Sequence, residues 1–189
     1  MSQSNTSRNN HIRIKELALV GVVTAVTCVL APLALPIGPV PISLTSLVVY
    51  FSVYVLGTRL STTSIVVYLL IGLCGVPVFS NYTGGPQKLF GPTGGYLIGF
   101  IPLAIISGLM IERKRKSIIL SIIGMLVGTV VLYALGTAWL AYQAGLTFGK
   151  ALAAGVIPFI PGDLAKIALA LIIGPQIRAA LIKAGMLRD

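Results

Sequence analysis

The sequence predicts an all-α integral membrane bundle of six transmembrane helices with both termini cytoplasmic, forming a single membrane domain over residues 1–189. Two observations predict it. The chain is 56% hydrophobic and only 10% charged, with a mean hydropathy of +0.98, a balance foreign to soluble domains. Charge is also absent over four long tracts: between Leu17 and Thr58, Leu60 and Gln87, Leu89 and Ile111, and Ser117 and Gly149. Each can hold a helix of about 20 residues, the length a bilayer core demands.

Each element follows from these tracts and their breaks. The first tract is cut at Pro32, Pro36, Pro39 and Pro41, and proline ends helices and stiffens turns. It therefore yields two spans, 14–31 and a short one at 43–57. The next tracts give 60–76, 95–111 and 118–142. A sixth span, 162–183, opens on Pro161-Gly162-Asp163; proline is tolerated in a first helical turn, and an acid there complements the positive end of the helix dipole. The continuous apolar runs lack the period of two that a β-barrel requires.

Orientation follows from the basic residues, which gather on the cytoplasmic side of short loops. With the N-terminus inside, the inner face carries Arg8, Arg13, Lys15, Arg59, Arg113, Lys114, Arg115, Lys116, Arg178, Lys183 and Arg188, leaving Lys88 and Lys150 outside and Lys166 in the membrane. The net charge of +10 is thus spread over span ends, which excludes a nucleic-acid surface; the tetrad Arg113–Lys116 is topogenic, with anionic lipid or an acidic partner as the alternative. Residues 1–11 are polar and are expected to form a disordered cytoplasmic tail, with His11 a solvated residue at its edge. The first apolar tract exceeds a signal-peptide core and no A-x-A site follows it. Cys28 and Cys74 lack a C-x-x-C partner or nearby His and read as small buried hydrophobes, with no metal site.

Asp163 and Lys166 are the only ionisable side chains inside the apolar core, and three residues apart they share one helix face. A charge in lipid costs roughly 2.5 to 3.5 kcal/mol, so such residues face a bundle interior or cavity and mark sites. The bland alternative is a helix start stabilised by an i, i+3 pair worth about 0.2 to 0.5 kcal/mol. Asp163 lies 15 residues before Arg178, about 22 Å at 1.5 Å per residue, which places the pair towards the outer side. On the same side falls the long loop from Gly75 to Tyr96. Its glycines, Gly91, Gly94 and Gly95 among them, allow sharp turns or close approach to a ligand. Phe79, Tyr82, Phe90 and Tyr96 add rings, while Asn81, Gln87 and Lys88 add polar groups, the mixture common in small-molecule sites. Neither a dinucleotide nor a P-loop signature occurs, so this chain is not expected to bind ATP. Trp139 and Tyr142 suit an interfacial belt or could wall the pocket. Gly21 and Ala25 form a small-xxx-small pattern on the first span.

Three segments then carry a resemblance that covers nearly the whole chain: Pro39-Val40-Pro41-Ile42-Ser43-Leu44-Thr45, Phe90-Gly91-Pro92-Thr93-Gly94-Gly95-Tyr96-Leu97-Ile98-Gly99-Phe100, and Pro158-Phe159-Ile160-Pro161-Gly162-Asp163-Leu164-Ala165-Lys166. In them the chain resembles the BioY family, the biotin-specific substrate-binding subunits (S-components) of energy-coupling-factor (ECF) vitamin transporters. The resemblance implies a six-helix bundle in the cell membrane that binds biotin from outside, beneath the loops after the first and third spans, so that Pro41 joins the loop residues in the site. It implies as partners a transmembrane coupling protein and two cytoplasmic ATPases, ATP being used by those subunits and no cofactor being held here. The family meets its coupling protein through an A-x-x-x-A pattern on the first helix; here the nearest match is Gly21 with Ala25, a departure at the first residue, with Ala18 on an adjoining face.

The expected mechanism packs the fused rings of biotin against apolar and aromatic walls while its ureido group meets Asp163, Lys166 and Asn81, with Asp163 accepting the ureido N–H bonds and Lys166 donating to the ureido oxygen or to the valerate carboxylate, and the 76–94 segment closes over the ligand. The rival reading is a stand-alone, proton-coupled secondary carrier in which the Asp–Lys pair relays protons; uptake without an ATPase partner distinguishes the two. An enzyme is not expected, since Asp163 has no second carboxylate or histidine beside it within the bilayer.

Overall fold

The charge-free tracts become helices in the computed structural model, which describes residues 2–36, 40–113 and 117–187, with side chains from residue 14 onward. Helices α1 (Ser2–Leu30), α2 (Thr45–Leu56), α3 (Thr58–Leu73), α5 (Gly94–Arg113), α6 (Ile118–Ala144) and α8 (Ile160–Lys183) fall on the six expected segments with ends shifted by a few residues. The exception is α1, which begins at Ser2 and so includes the polar residues expected to form a disordered tail. No proline or glycine interrupts the chain before Gly21, and the helix simply continues through them. Lys114, Arg115, Lys116 and Arg188 lie outside the described residues, as does Pro39.

Among the described residues, three stretches are long and apolar enough to cross a membrane: Gly94–Arg113, Ile118–Ala144 and Phe148–Lys183. Helices α2 and α3, of 12 and 16 residues, span only about 18 and 24 Å. A single residue, Gly57, separates them at φ 82°, where its N–H caps α2 through Val53 O at 3.0 Å. Side chains rarely adopt that φ, and glycine does so at no steric cost.

The connections contain elements that the apolar pattern does not announce. Strands β1 (Ala34–Leu35) and β2 (Ile42–Ser43) pair antiparallel, with Ala34 opposite Ser43 and Leu35 opposite Ile42. Helix α4 (Pro86–Leu89) interrupts the long loop, and α7 (Phe148–Gly155) with a 3-10 turn at Ile157–Phe159 joins α6 to α8. Gly145, at φ 62°, ends α6 before this crossing.

The most extensive packing in the bundle is between α5 and α6, and glycine permits it. A Cβ at Gly95 would meet the Trp139 side chain, one at Gly136 the Tyr96 ring, and one at Gly128 the side chains of Leu103 and Ser107. Small residues bring helix backbones together where lipid offers no hydrophobic drive between helices. Buried hydroxyls satisfy one another across the bundle: Thr24 with Ser64 at 2.9 Å, Tyr50 with Thr129 at 2.6 Å, and Ser52 with Ser61. Phe79, fully buried, drops from the long loop into the core and meets Tyr68 edge to face, ring centroids 5.5 Å apart. The loop is therefore seated on the bundle rather than hung from it.

Candidate functional site

Pro161 sits in the first turn of α8, where its missing N–H costs no hydrogen bond. This start aims Asp163 and, one turn on, Lys166 at α2 and the β2 end. Both are buried, at 5% and 8% relative exposure. Lys166 Nζ donates to Asp163 Oδ1 at 2.9 Å, to Ser46 Oγ at 3.0 Å and to the Ser43 carbonyl at 2.7 Å. An ammonium has three protons, and all are used. Ser46 Oγ donates to Asp163 Oδ1 at 3.0 Å, and Tyr133 Oη from α6 donates to Oδ2 at 2.6 Å. Buried charges are tolerable only when paired and hydrogen-bonded, and this network meets that condition. It also leaves the carboxylate with spare acceptor capacity, roughly four lone-pair sites against three donors.

Asp163 forms one wall of a narrow cavity of about 550 Å³, counting its mouth. Ser43, Ser46 and Tyr133 line it beside the acid; Leu97, Phe100, Leu132 and Phe159 give it apolar sides. Pro41, Ser80, Lys88, Thr93 and Tyr96 reach it from the loops and the start of α5. Lys88 alone brings a second charge. Its ammonium has no hydrogen-bond or ion-pair partner among the described residues, and partial burial pushes its pKa below the usual lysine range. Such a group is stabilised by an arriving anion.

Of the residues expected to form the site, Asp163, Tyr96 and Pro41 line this cavity together. Lys166 and Asn81 line a separate opening of about 970 Å³ between the first and third loops, with Ser43 shared between the two. Asn81 and Tyr82 hold left-handed backbone, φ 61° and 57°, and Asn81 N donates to Pro32 O at 3.0 Å, which fastens the third loop to the first. Gln87 and Phe90 are exposed. Gly91, Gly94 and Gly95 line neither opening. Their lack of Cβ serves packing: at Gly91 and Gly94 an added carbon would strike the carbonyls of Gln87 and Leu89. Trp139 Nε1 donates to Gly91 O at 2.9 Å and Gln143 Nε2 to Phe90 O at 2.8 Å, so α6 clamps the loop. Cys74 is exposed and Cys28 half-buried, rather than both being buried.

Ser46, Tyr133, Ser80 and Thr93 escape sequence reasoning, because a hydroxyl carries no spacing signal and only the fold shows which ones point at a charge. Away from the cavity, Ala18, Gly21 and Ala25 share an exposed face of α1, and nothing lies within 4 Å of a Cβ built on Gly21.

Fold and site together define a helical, membrane-type protein built to hold a small solute at one end of the bundle. The BioY family model matches residues 2–183, and the chain belongs to that family. The biotin transporter BioY of Thermotoga maritima is 38% identical over 165 residues, covering 87% of this chain and 96% of the relative. Biotin transporter BioY2 of Lactococcus lactis is 38% identical over 170 residues, covering 89% and 93%. Among solved structures, the S-component for biotin from an ECF-type ABC transporter superposes with a TM-score of 0.82 at 27% identity over 95% of both chains.

Proposed function

We infer that this chain captures biotin from outside the cell as the S-component of an ECF-type, ATP-driven importer. The observation that carries the reading is the buried carboxylate of Asp163 on the cavity wall, held by Ser46, Tyr133 and Lys166 with acceptor capacity to spare. Biotin offers two ureido N–H donors, a fused apolar ring pair and a carboxylate tail. Asp163 accepts from the ureido group, and Lys166 pairs with the acid while tying it to the Ser43 carbonyl. Phe100, Leu132, Phe159 and Tyr96 pack on the rings, and Lys88 takes the carboxylate. Asn81 and the third loop close over the ligand; the narrowness of the cavity means that the roof must open to admit it.

The same reading gives six spans with both termini cytoplasmic in the plasma membrane. Support comes from the basic residues, which gather on one side under that threading. ATP is consumed by two partner ATPases, coupled through a transmembrane protein that docks on the Ala18, Gly21 and Ala25 face, and the chain itself needs no cofactor.

Titration calorimetry of purified protein tests the assignment. Biotin binding is expected, and Asp163→Asn weakens it by about 1 to 3 kcal/mol. Unchanged affinity would remove Asp163 from the site. Absence of biotin binding, with another small molecule recovered by mass spectrometry from gently purified protein, would overturn the ligand itself.

A further inference from the structure

A third cavity, of about 920 Å³, lies between α6, α7 and α8 and meets the solute cavity at the Tyr133–Asp163 hydrogen bond. Tyr133 and Asp163 line both spaces, so these two side chains stand where the cavities meet. The third space is built differently. Its surface is almost wholly apolar, with Leu126, Val130, Ala134, Leu152, Ile160 and Leu164 prominent. Its few polar side chains, Thr129, Tyr133, Thr137 and Asp163, are all engaged in hydrogen bonds within the bundle. Thr129 donates to Met125 O at 2.7 Å and pairs with Tyr50, Thr137 pairs with Tyr96 at 3.3 Å, and Tyr133 binds Asp163. Almost no polar surface faces this space, so water placed there would find few partners, and apolar cavities of this kind stay dry or take apolar guests.

Depth selects the guest. Along α6 the cavity runs from Leu126 to Thr137, about 16 Å at 1.5 Å per residue, which is half of the roughly 30 Å hydrocarbon core. Its outer end is marked by α7, where Phe148 and Leu152 face the groove while Lys150, half a turn away, is exposed. An apolar face backed by a cation is how a short helix lies in the membrane interface. Tyr142, 86% exposed near the end of α6, stands at the same level. The groove thus starts at the headgroups, descends one leaflet and stops. Exposure of Val130 at 64% and Leu164 at 51% shows that it is open at the side.

We propose that this groove is a binding site for one acyl chain of an outer-leaflet phospholipid, which lies between α6 and α8 and covers the Tyr133–Asp163 pair from the lipid side. The proposal rests on the membrane orientation inferred above and is independent of the identity of the solute.

Native mass spectrometry of the full chain released from phosphatidylglycerol-containing nanodiscs tests it. One phospholipid is expected to survive detergent washing, and Ala134→Trp or Val130→Trp, which fill the groove, should each abolish its retention. Ile123→Trp, on α6 but outside the groove, should keep it. Biotin binding measured on the same samples reports folding and the solute site separately, so failure of either reading is visible on its own. No retained lipid in the parent protein, or equal retention in all three variants, overturns the proposal. So does photo-cross-linking from Leu164→Cys that labels the coupling protein in the assembled transporter while diazirine-tagged acyl chains leave the position unlabelled, since the groove would then hold a partner helix.

Discussion

The floor and the roof of the solute cavity are built on opposite principles. The floor joins α2, α6 and α8 through Asp163, Lys166, Ser46 and Tyr133, all held in a closed set of hydrogen bonds. The roof is loop, anchored by Phe79 in the core and by Trp139 and Gln143 from α6, yet Tyr82 and Phe90 remain 65% and 58% exposed. A preorganised floor spends the cost of ordering charges during folding, so little remains to be spent on binding. A roof seated at a few points can lift between them. Damage to the floor should therefore appear as instability, and damage to the roof as lost affinity with the fold intact.

The largest effect tests the floor. Asp163→Leu strands the Lys166 ammonium in the bundle and should destabilise the protein by about 3 to 5 kcal/mol, seen as a lowered thermal transition in detergent and loss of biotin binding. The double variant Asp163→Leu with Lys166→Met removes both charges and should recover most of the stability but none of the binding. Recovery of neither would mean that the network is not what holds α8 to α2.

Lys88→Met tests the roof. It should cost about 1.5 to 3 kcal/mol of biotin affinity, the range for a hydrogen bond to a charged group, with an unaltered melting transition. Biotin methyl ester should bind the parent and the variant alike. The pH dependence follows from the same group. The Lys88 pKa is lowered by burial, so the cation that meets the carboxylate is lost at a lower pH than for an ordinary lysine. Affinity should fall as pH rises through that range and should be flatter in Lys88→Met. Asp163, Tyr96 and Tyr133 also line the cavity, so the difference between parent and variant isolates the share of Lys88.

These two regions were unequally legible. Six helices could be placed because charge-free tracts and prolines are coarse signals that survive any detail of packing. The Asp163–Lys166 pair stood out for the same reason, since charges are rare in such a chain and three residues is one helical turn. Ser46 lies 117 residues from Asp163 in sequence, and nothing in a serine announces that its hydroxyl will meet a carboxylate. Gly94 and Gly95 carry a weaker signal. A glycine signals close approach without saying to what, and here the neighbours are the Leu89 carbonyl and Trp139. Gly94→Ala should accordingly cost stability, about 1 to 3 kcal/mol for overpacking, and alter affinity only through the displaced loop; a large affinity loss with unchanged melting would return it to the ligand.

Asn81 provides the finest test, because it belongs to the roof yet opens on the second cavity beside Lys166 rather than on the first. Its backbone, at φ 61°, is one that asparagine tolerates and glycine adopts freely, so Asn81→Gly removes the side chain without straining the turn or the N–H bond to Pro32 O. If closure carries the amide onto biotin, affinity should drop by about 0.5 to 1.5 kcal/mol, the net worth of one neutral hydrogen bond, and the melting temperature should hardly move. Equal affinity by calorimetry would confine the solute to the Asp163 cavity and leave the opening between the loops as the path by which the roof lifts.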